Sequence, residues 1–303
     1  MYLEHFQLRE KPFRLTPHLA FRYAENSQGD ALATLLVALR EGEGFVKVVG
    51  EVGLGKTLLC RVLLGELGPP FVTAWIPDPQ LAPTSLRAAV ARDLGMDLEN
   101  RFEPRQLTER LHDHLARIAA DGQRAVVLID EAQALPDPTL ESIRLLSNLE
   151  TERQKLLQVV LFGQPELDRR LATRRFRQLR QRITYSCCLR PLDRVSVEAY
   201  IRHRLASAGG TQDLIGRAAI GRIARASGGV PRLINILADK TLLSAYGRGR
   251  AQAGWFDAGR AIRDTESVRP ARFRRGWLSG RAVALASGAA GLLQQSLPPG
   301  GLL

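Results

Sequence analysis

The octapeptide Gly50-Glu-Val-Gly53-Leu-Gly55-Lys56-Thr57 follows directly on a short β-branched run, residues 45–49, and leads into LLCRVLLGEL, a helix pattern. Few folds accept that order of elements. A glycine-rich turn between a strand and a helix lets successive backbone N–H groups face inward without Cβ clashes. The start of the helix adds its partial positive charge. This is the P-loop pattern in the strand–loop–helix setting that it requires. It implies a nucleotide phosphate site lined by Gly50, Glu51, Val52, Gly53, Leu54, Gly55, Lys56, Thr57 and Leu58. Lys56 is expected to reach the β- and γ-phosphates of ATP, and the Thr57 hydroxyl to ligate Mg²⁺.

Four more apolar runs share the character of the first: 71–76, 125–129, 157–162 and 183–189. Helical spacing separates them, as in Leu107, Leu111, Leu115 and Ile118, and again in Leu140, Ile143, Leu146 and Leu149. Near-continuous apolar strands alternating with helices predict an α/β fold, a five-stranded parallel sheet covered on both faces. Cys187 and Cys188 are expected to alternate across a buried strand. From Pro191 the strand signal stops, and residues 194–208, 213–226 and 231–246 read as helices punctuated by Gly-Gly at 209–210 and 228–229. The predicted organisation is a P-loop core over 1–190, a small all-helical lid over 191–266, and a tail over 267–303.

Further candidates fall at the ends of the strands. Asp130 and Glu131 follow the third run, where a buried carboxylate needs a cation or a water network beside it. Asp130 suits the Mg²⁺ shell, and Glu131 suits a base that polarises the attacking water. Gln164 follows the fourth run and suits a polar sensor between the γ-phosphate and that water. Arg182 or Arg180, just before the fifth run, can supply an arginine finger to a neighbouring subunit. Arg232, presented beside Gly228-Gly-Val-Pro231, can reach back over the phosphates and make lid position depend on the nucleotide. Pro12 and Phe13 are candidates for a wall of the adenine pocket. His112 and His114 are two apart on a helix and point to different faces, which excludes them as a metal pair.

Composition narrows the class. The chain has 303 residues, 45% of them apolar and 24% charged, which excludes intrinsic disorder, a collagen-like fibre and a polytopic membrane protein. Cys60, Cys187 and Cys188 cannot build a disulfide framework or a metal quartet, and the opening MYLEHFQLREKPF has no signal-peptide core, so a cytoplasmic location is expected. The net charge of +12 is local: eight arginines in 169–190 and five in 269–281 carry +13, leaving the remainder at −1. A basic isoelectric point is therefore poor evidence by itself for nucleic-acid binding. The tail run 277–293 is 17 residues long, contains Arg281 and falls short of the roughly 20 apolar residues of a membrane span. The tail is therefore expected to be flexible or to touch the inner membrane peripherally, flanked by the arginines before it.

In order along the chain, MYLEHFQLREKPFRLTPHLAF, GEVGLGKTLLCR, LIDEAQAL, IRLLSNLET, LLQVVLFGQPEL, LRQRI and GGVPRLIN resemble the ExeA-type AAA+ ATPases of general secretion and of MSHA-type type IV pilus biogenesis. The resemblance covers roughly residues 1–265. It implies an AAA+ core with a helical lid, ATP-driven self-association into a ring, and a cytoplasmic ATPase serving secretion or pilus assembly components. It also supports the roles given to Gln164, Arg182 and Arg232. Leu54 and Leu58 replace threonines often found beside this loop. Long members add a transmembrane helix and a periplasmic peptidoglycan-binding domain, so the short tail points to a pilus-type member without wall binding. Two other readings stay open. One is a nucleic-acid-handling AAA+ ATPase (a replication-initiator or transposition helper), supported by the 169–190 arginines. The other is a scaffold that binds nucleotide without turnover.

Overall fold

The computed structural model describes residues 2–16, 23, 27–98, 103–146 and 155–268. Leu149 and the tail run 277–293 lie outside the described residues. The chain opens with a single turn, α1 (Tyr2–His5), and continues through α2 (Ser27–Arg40), β1 (Phe45–Val49), α3 (Lys56–Glu66), β2 (Phe71–Ile76), α4 (Pro83–Asp93) and α5 (Pro104–Ala120). There follow β3 (Arg124–Ile129), α6 (Asp137–Leu146), β4 (Leu157–Gly163), α7 (Pro165–Leu171), α8 (Arg177–Arg182) and β5 (Ile183–Cys188). Four helices complete it: α9 (Arg194–Ser207), α10 (Arg217–Ser227), α11 (Pro231–Tyr246) and α12 (Trp255–Arg263).

The five strands make one parallel sheet in the order β2-β3-β4-β1-β5. Successive side chains leave a strand on opposite faces. Val126 and Leu128 therefore join Val46, Val48, Val160 and Phe162 under α2 and α3. Ala125, Val127 and Ile129 join Phe45, Val159 and Leu161 on the other face, under α4 to α8. The stripe Leu107, Leu111, Leu115 and Ile118 of α5 is buried against that second face, as its spacing predicts. β5 departs from the expected pattern. It is an edge strand whose residues alternate between half-buried and exposed, so Cys187 is half-buried and Cys188 is exposed. With a neighbour on one side only, its polar residues, such as Thr184 and Ser186, meet solvent.

Helices α9 to α12 pack around a separate apolar cluster that includes Val197, Ile201, Ile220, Ile223, Leu237 and Leu242. Asp193 caps α9 by accepting from the backbone N–H of Ser196 at 2.7 Å, and Pro231 opens α11 at a position where a missing N–H costs nothing. The first residues of the chain also belong here. Tyr2, Phe6, Leu8 and Phe13 are buried in this cluster, and the Tyr2 hydroxyl donates to Asp239 of α11 at 2.6 Å. The N-terminal strip thus packs on the helices and not on the sheet. α12 went unread in the sequence because its buried face is Ala258, Gly259 and Ala261, too small to register as periodic apolar residues.

Candidate nucleotide site

β1 ends at Val49, and the Gly50 N–H still pairs with the Gly163 carbonyl of β4 at 3.1 Å. The chain then turns through Gly53 (φ +86°) and Gly55 (φ +88°) into α3. Both glycines are required by backbone, and Gly53 by space as well: a Cβ there would lie 2.9 Å from Val230 Cγ1 and from Arg232 Cβ, whereas one on Gly55 would meet only the movable end of the Gln28 side chain. Lys56 is 5% exposed. Its ammonium donates to the carbonyls of Gly50 at 2.9 Å and Glu51 at 3.3 Å. Burial pulls its pKa down, against the opposing pull of Glu131, Asp130 and Glu51.

A cavity of about 310 Å³ opens over this loop. Val52, Gly53, Gly55, Lys56, Thr57 and Leu58 line it, whereas Gly50, Glu51 and Leu54 do not. Gly50 is still held by the sheet, and the Glu51 carbonyl is occupied by Lys56. The Leu54 side chain is buried in the core under α2, and its carbonyl accepts from Gln28 Nε2 at 2.6 Å.

The end of β3 brings the two acids together with the loop. Asp130 is 3% exposed; its Oδ2 accepts from the Thr57 hydroxyl at 2.6 Å, and its Oδ1 from the Glu131 N–H at 2.9 Å. Glu131 has φ +48°, a left-handed conformation that costs a side-chain-bearing residue about 1–3 kcal/mol. Its Oε2 accepts from Gln164 Nε2 at 2.9 Å and from Gln133 Nε2 at 2.5 Å. Burial opposes ionisation of Glu131, but the hydrogen bonds from Gln164 and Gln133 and the charge of Lys56 outweigh it and hold the carboxyl below its usual range.

The rest of the rim comes from distant parts of the chain: Arg14, Leu15 and Thr16 before the core, Tyr200 and Arg204 of α9, and Pro231, Arg232 and Asn235 of α11. The Arg232 N–H donates to the Gly53 carbonyl at 3.2 Å, so α11 starts on the phosphate loop itself. Arg204 is buried and donates to the carbonyls of Pro12 at 2.6 Å and Arg14 at 3.3 Å. Tyr200 in turn donates to Asn235 at 2.9 Å. Phe13 is no wall of this cavity, because its ring is buried in the helical cluster; the three residues after it take that place. Arg180 and Arg182 are exposed on α8 and do not line the cavity. α8 feeds the start of β5, and in a parallel sheet that is the end opposite the P-loop. Sequence reasoning missed Gln28, Gln133, Tyr200, Arg204 and Asn235. Only Gln133, two residues from Glu131, had a positional signal.

A parallel sheet in this order, with a P-loop on one central strand, an acidic pair and a glutamine ending the next two, and a helical unit over the loop, defines a nucleotide-binding protein of the AAA+ class. Residues 39–171 match the AAA domain family. General secretion pathway protein A of Aeromonas hydrophila is 41% identical over 286 residues, 94% of this chain and 52% of that protein. Over nearly its whole length the chain is similar to this ExeA-type AAA+ protein, and it spans about half the length of that relative. Among solved structures, the ORC2 protein of Aeropyrum pernix in ADPNP–ADP complexes is similar with TM-score 0.61 and 15% identity, over 86% of this chain and 72% of that one. Cdc6p of Pyrobaculum aerophilum gives TM-score 0.62 and 18% identity, over 86% and 70%. The RuvB branch migration motor of Thermotoga maritima gives 0.51 and 19%, over 78% and 68%. At these identities the likeness is one of fold.

Proposed function

We propose that the chain binds ATP with Mg²⁺ and hydrolyses it in support of a bacterial secretion or type IV pilus apparatus. The observation that carries the hydrolytic half is the set at the end of β3: Asp130 on the Thr57 hydroxyl, and Glu131 held by Gln164, at the mouth of the phosphate loop. The donor chemistry fits the nucleotide. A hydroxyl and a carboxylate are hard oxygen ligands suited to Mg²⁺. The two left-handed glycines turn the loop tightly where it lines the cavity. Bound Mg²⁺ would neutralise charge on the β- and γ-phosphate oxygens.

The chain's own residues have separate tasks in this reading. Lys56 gives up its two loop carbonyls and turns its ammonium to the phosphates. Glu131, kept ionised, orients a water and accepts its proton, while Gln164 fixes the carboxylate beside it. Arg232, whose helix starts on the Gly53 carbonyl, couples residues 191–266, with the N-terminal strip packed on them, to the nucleotide as a lid over the rest of the 1–190 core. Arg182 or Arg180, lying away from their own site, serve a neighbouring copy in a ring. Kinship with general secretion pathway protein A supports envelope-assembly components as partners and a location at the cytoplasmic face of the inner membrane. Among the described residues no helix is long and apolar enough to cross a membrane.

A second reading, action on nucleic acid, is favoured by the exposed arginines Arg169, Arg174, Arg175, Arg177 and Arg180. ATP turnover measured while titrating duplex DNA at physiological salt separates the two, since at low salt such clusters bind any polyanion. Turnover indifferent to DNA supports the assembly role. Strong saturable stimulation replaces it with the nucleic-acid role.

A further inference from the structure

Gln133 is clamped by both ends of α7. Its side-chain Oε1 accepts from the backbone N–H of Gln164, the residue that caps the start of α7, at 2.9 Å. Its backbone carbonyl accepts from Nη1 of Arg170, in the last turn of the same helix, at 2.6 Å. The first bond fixes which way the amide faces, because a backbone N–H can meet only the oxygen. Nε2 is thereby aimed at Glu131, and it donates to Oε2, the oxygen that also accepts from Gln164. Among the described residues nothing bonds Oε1 of Glu131, so both donors hold one oxygen and leave the other for chemistry.

The clamp continues away from the cavity. Arg170 Nη2 donates to Asp137 Oδ1 at 2.5 Å, and the second oxygen of Asp137 accepts from Arg175 Nη1 at 2.7 Å. Both guanidinium groups lie over the buried ring of Phe176, at 5.9 and 5.6 Å from its centroid. Phe176 is the residue before α8, the helix that carries Arg180 and Arg182.

We infer that Gln133 is a positioning residue for Glu131, and that Arg170, Asp137 and Arg175 tie its position to α8, so that displacement of that exposed helix is felt at the carboxylate. The inference rests on Glu131 acting in ATP hydrolysis, as proposed above. No titration is involved; the coupling runs through hydrogen bonds and through the contacts of Arg170 and Arg175 with the Phe176 ring.

The test compares wild type, Glu131→Gln, Gln133→Leu, Asp137→Asn and the Gln133→Leu/Asp137→Asn double variant, measuring kcat for ATP and, separately, the Kd of a fluorescent ATP analogue. Asp137 is half-exposed, so its variant keeps the test available if Gln133→Leu fails to fold. Loss of a hydrogen bond to an ionised group corresponds to about 10- to 100-fold in rate. Gln133→Leu is expected to lower kcat by that amount with Kd within about twofold, a split that a merely structural defect does not produce. The double variant is expected to be no slower than Gln133→Leu alone, since members of one network are not additive. An unchanged or raised kcat in Gln133→Leu, with Glu131→Gln inactive, overturns the positioning role and leaves the hydrolysis reading intact. Multiplying effects in the double variant overturn the link to α8. A wild type no faster than Glu131→Gln removes both.

Discussion

Gly53 meets the most demanding local conditions in the phosphate loop, and Gly53→Ala isolates them. Its φ of +86° belongs to the region open to glycine, and an added Cβ would lie 2.9 Å from both Val230 Cγ1 and Arg232 Cβ. Placing an L side chain in the left-handed region costs roughly 1–2 kcal/mol. Overpacking by one methyl against two positions on or beside α11 adds about 1–3 kcal/mol. Together these lower the melting temperature by roughly 4–20 °C, at about 2–4 °C per kcal/mol for a unit of this size. Part of the strain can be released by moving Arg232 off the loop, at the expense of its N–H bond to the Gly53 carbonyl, so affinity for nucleotide falls as well. The control is Gly65→Ala in α3, where an added Cβ meets nothing within 4 Å. There alanine is expected to raise stability by about 0.5–1 kcal/mol and to leave binding unchanged. Thermal unfolding and titration with a fluorescent ATP analogue, run on both variants, give the comparison. A Gly53→Ala protein that melts with wild type and binds equally well refutes the reasoning from backbone and close approach.

Three other outcomes are expected. Lys56→Ala should weaken ATP binding about 100-fold or more in equilibrium titration, since its ammonium is the cation buried within the phosphate loop itself, whereas Arg14, Arg204 and Arg232 line the cavity from outside that loop. Arg204→Met keeps the aliphatic stem but drops the bonds to the carbonyls of Pro12 and Arg14, so urea unfolding should show a loss of about 1–3 kcal/mol and the analogue should bind more weakly. Asp193 is held below its usual value first by the Ser196 N–H it accepts, so it is more acidic folded than unfolded. Its contribution is present above the unfolded value of about 3.9 and is lost as pH falls through the lower folded value. Asp193→Asn keeps the cap without the titration; its unfolding profile should match wild type near pH 7 and decline less steeply below about pH 4, and parallel profiles would contradict the assignment.

What the sequence made legible was local. β1 and β2 coincide with the apolar runs that predict them, and β3 and β4 extend theirs by one residue; the central strands β1, β3 and β4 are buried on both faces and so are mostly apolar, and the edge strand β2 carries an apolar run as well. The phosphate loop shows for a similar reason, since its glycines answer a backbone need set within eight residues. β5 was legible as a strand but not as an edge, which depends on its neighbours. The rim was illegible. Arg14, Tyr200, Arg204 and Asn235 converge only because the N-terminal strip packs on the helical unit, a contact spanning some 190 residues. Gln133 was passed over for a subtler reason. It holds Glu131 directly, but with an amide that the Gln164 N–H orients, and nothing in its own surroundings in the sequence records that residue 31 positions away.

In the proposed reaction Glu131 drives the conversion of bound ATP to product. The direct measurement is to load wild type and Glu131→Gln with radiolabelled ATP and Mg²⁺, remove free nucleotide, and identify by chromatography what remains bound and what is released. Wild type is expected to yield ADP and phosphate over successive turnovers, while Glu131→Gln retains ATP at comparable affinity. Equal turnover by the two proteins would contradict the role given to Glu131, and intact ATP recovered from both would leave a nucleotide-dependent scaffold in place of an enzyme.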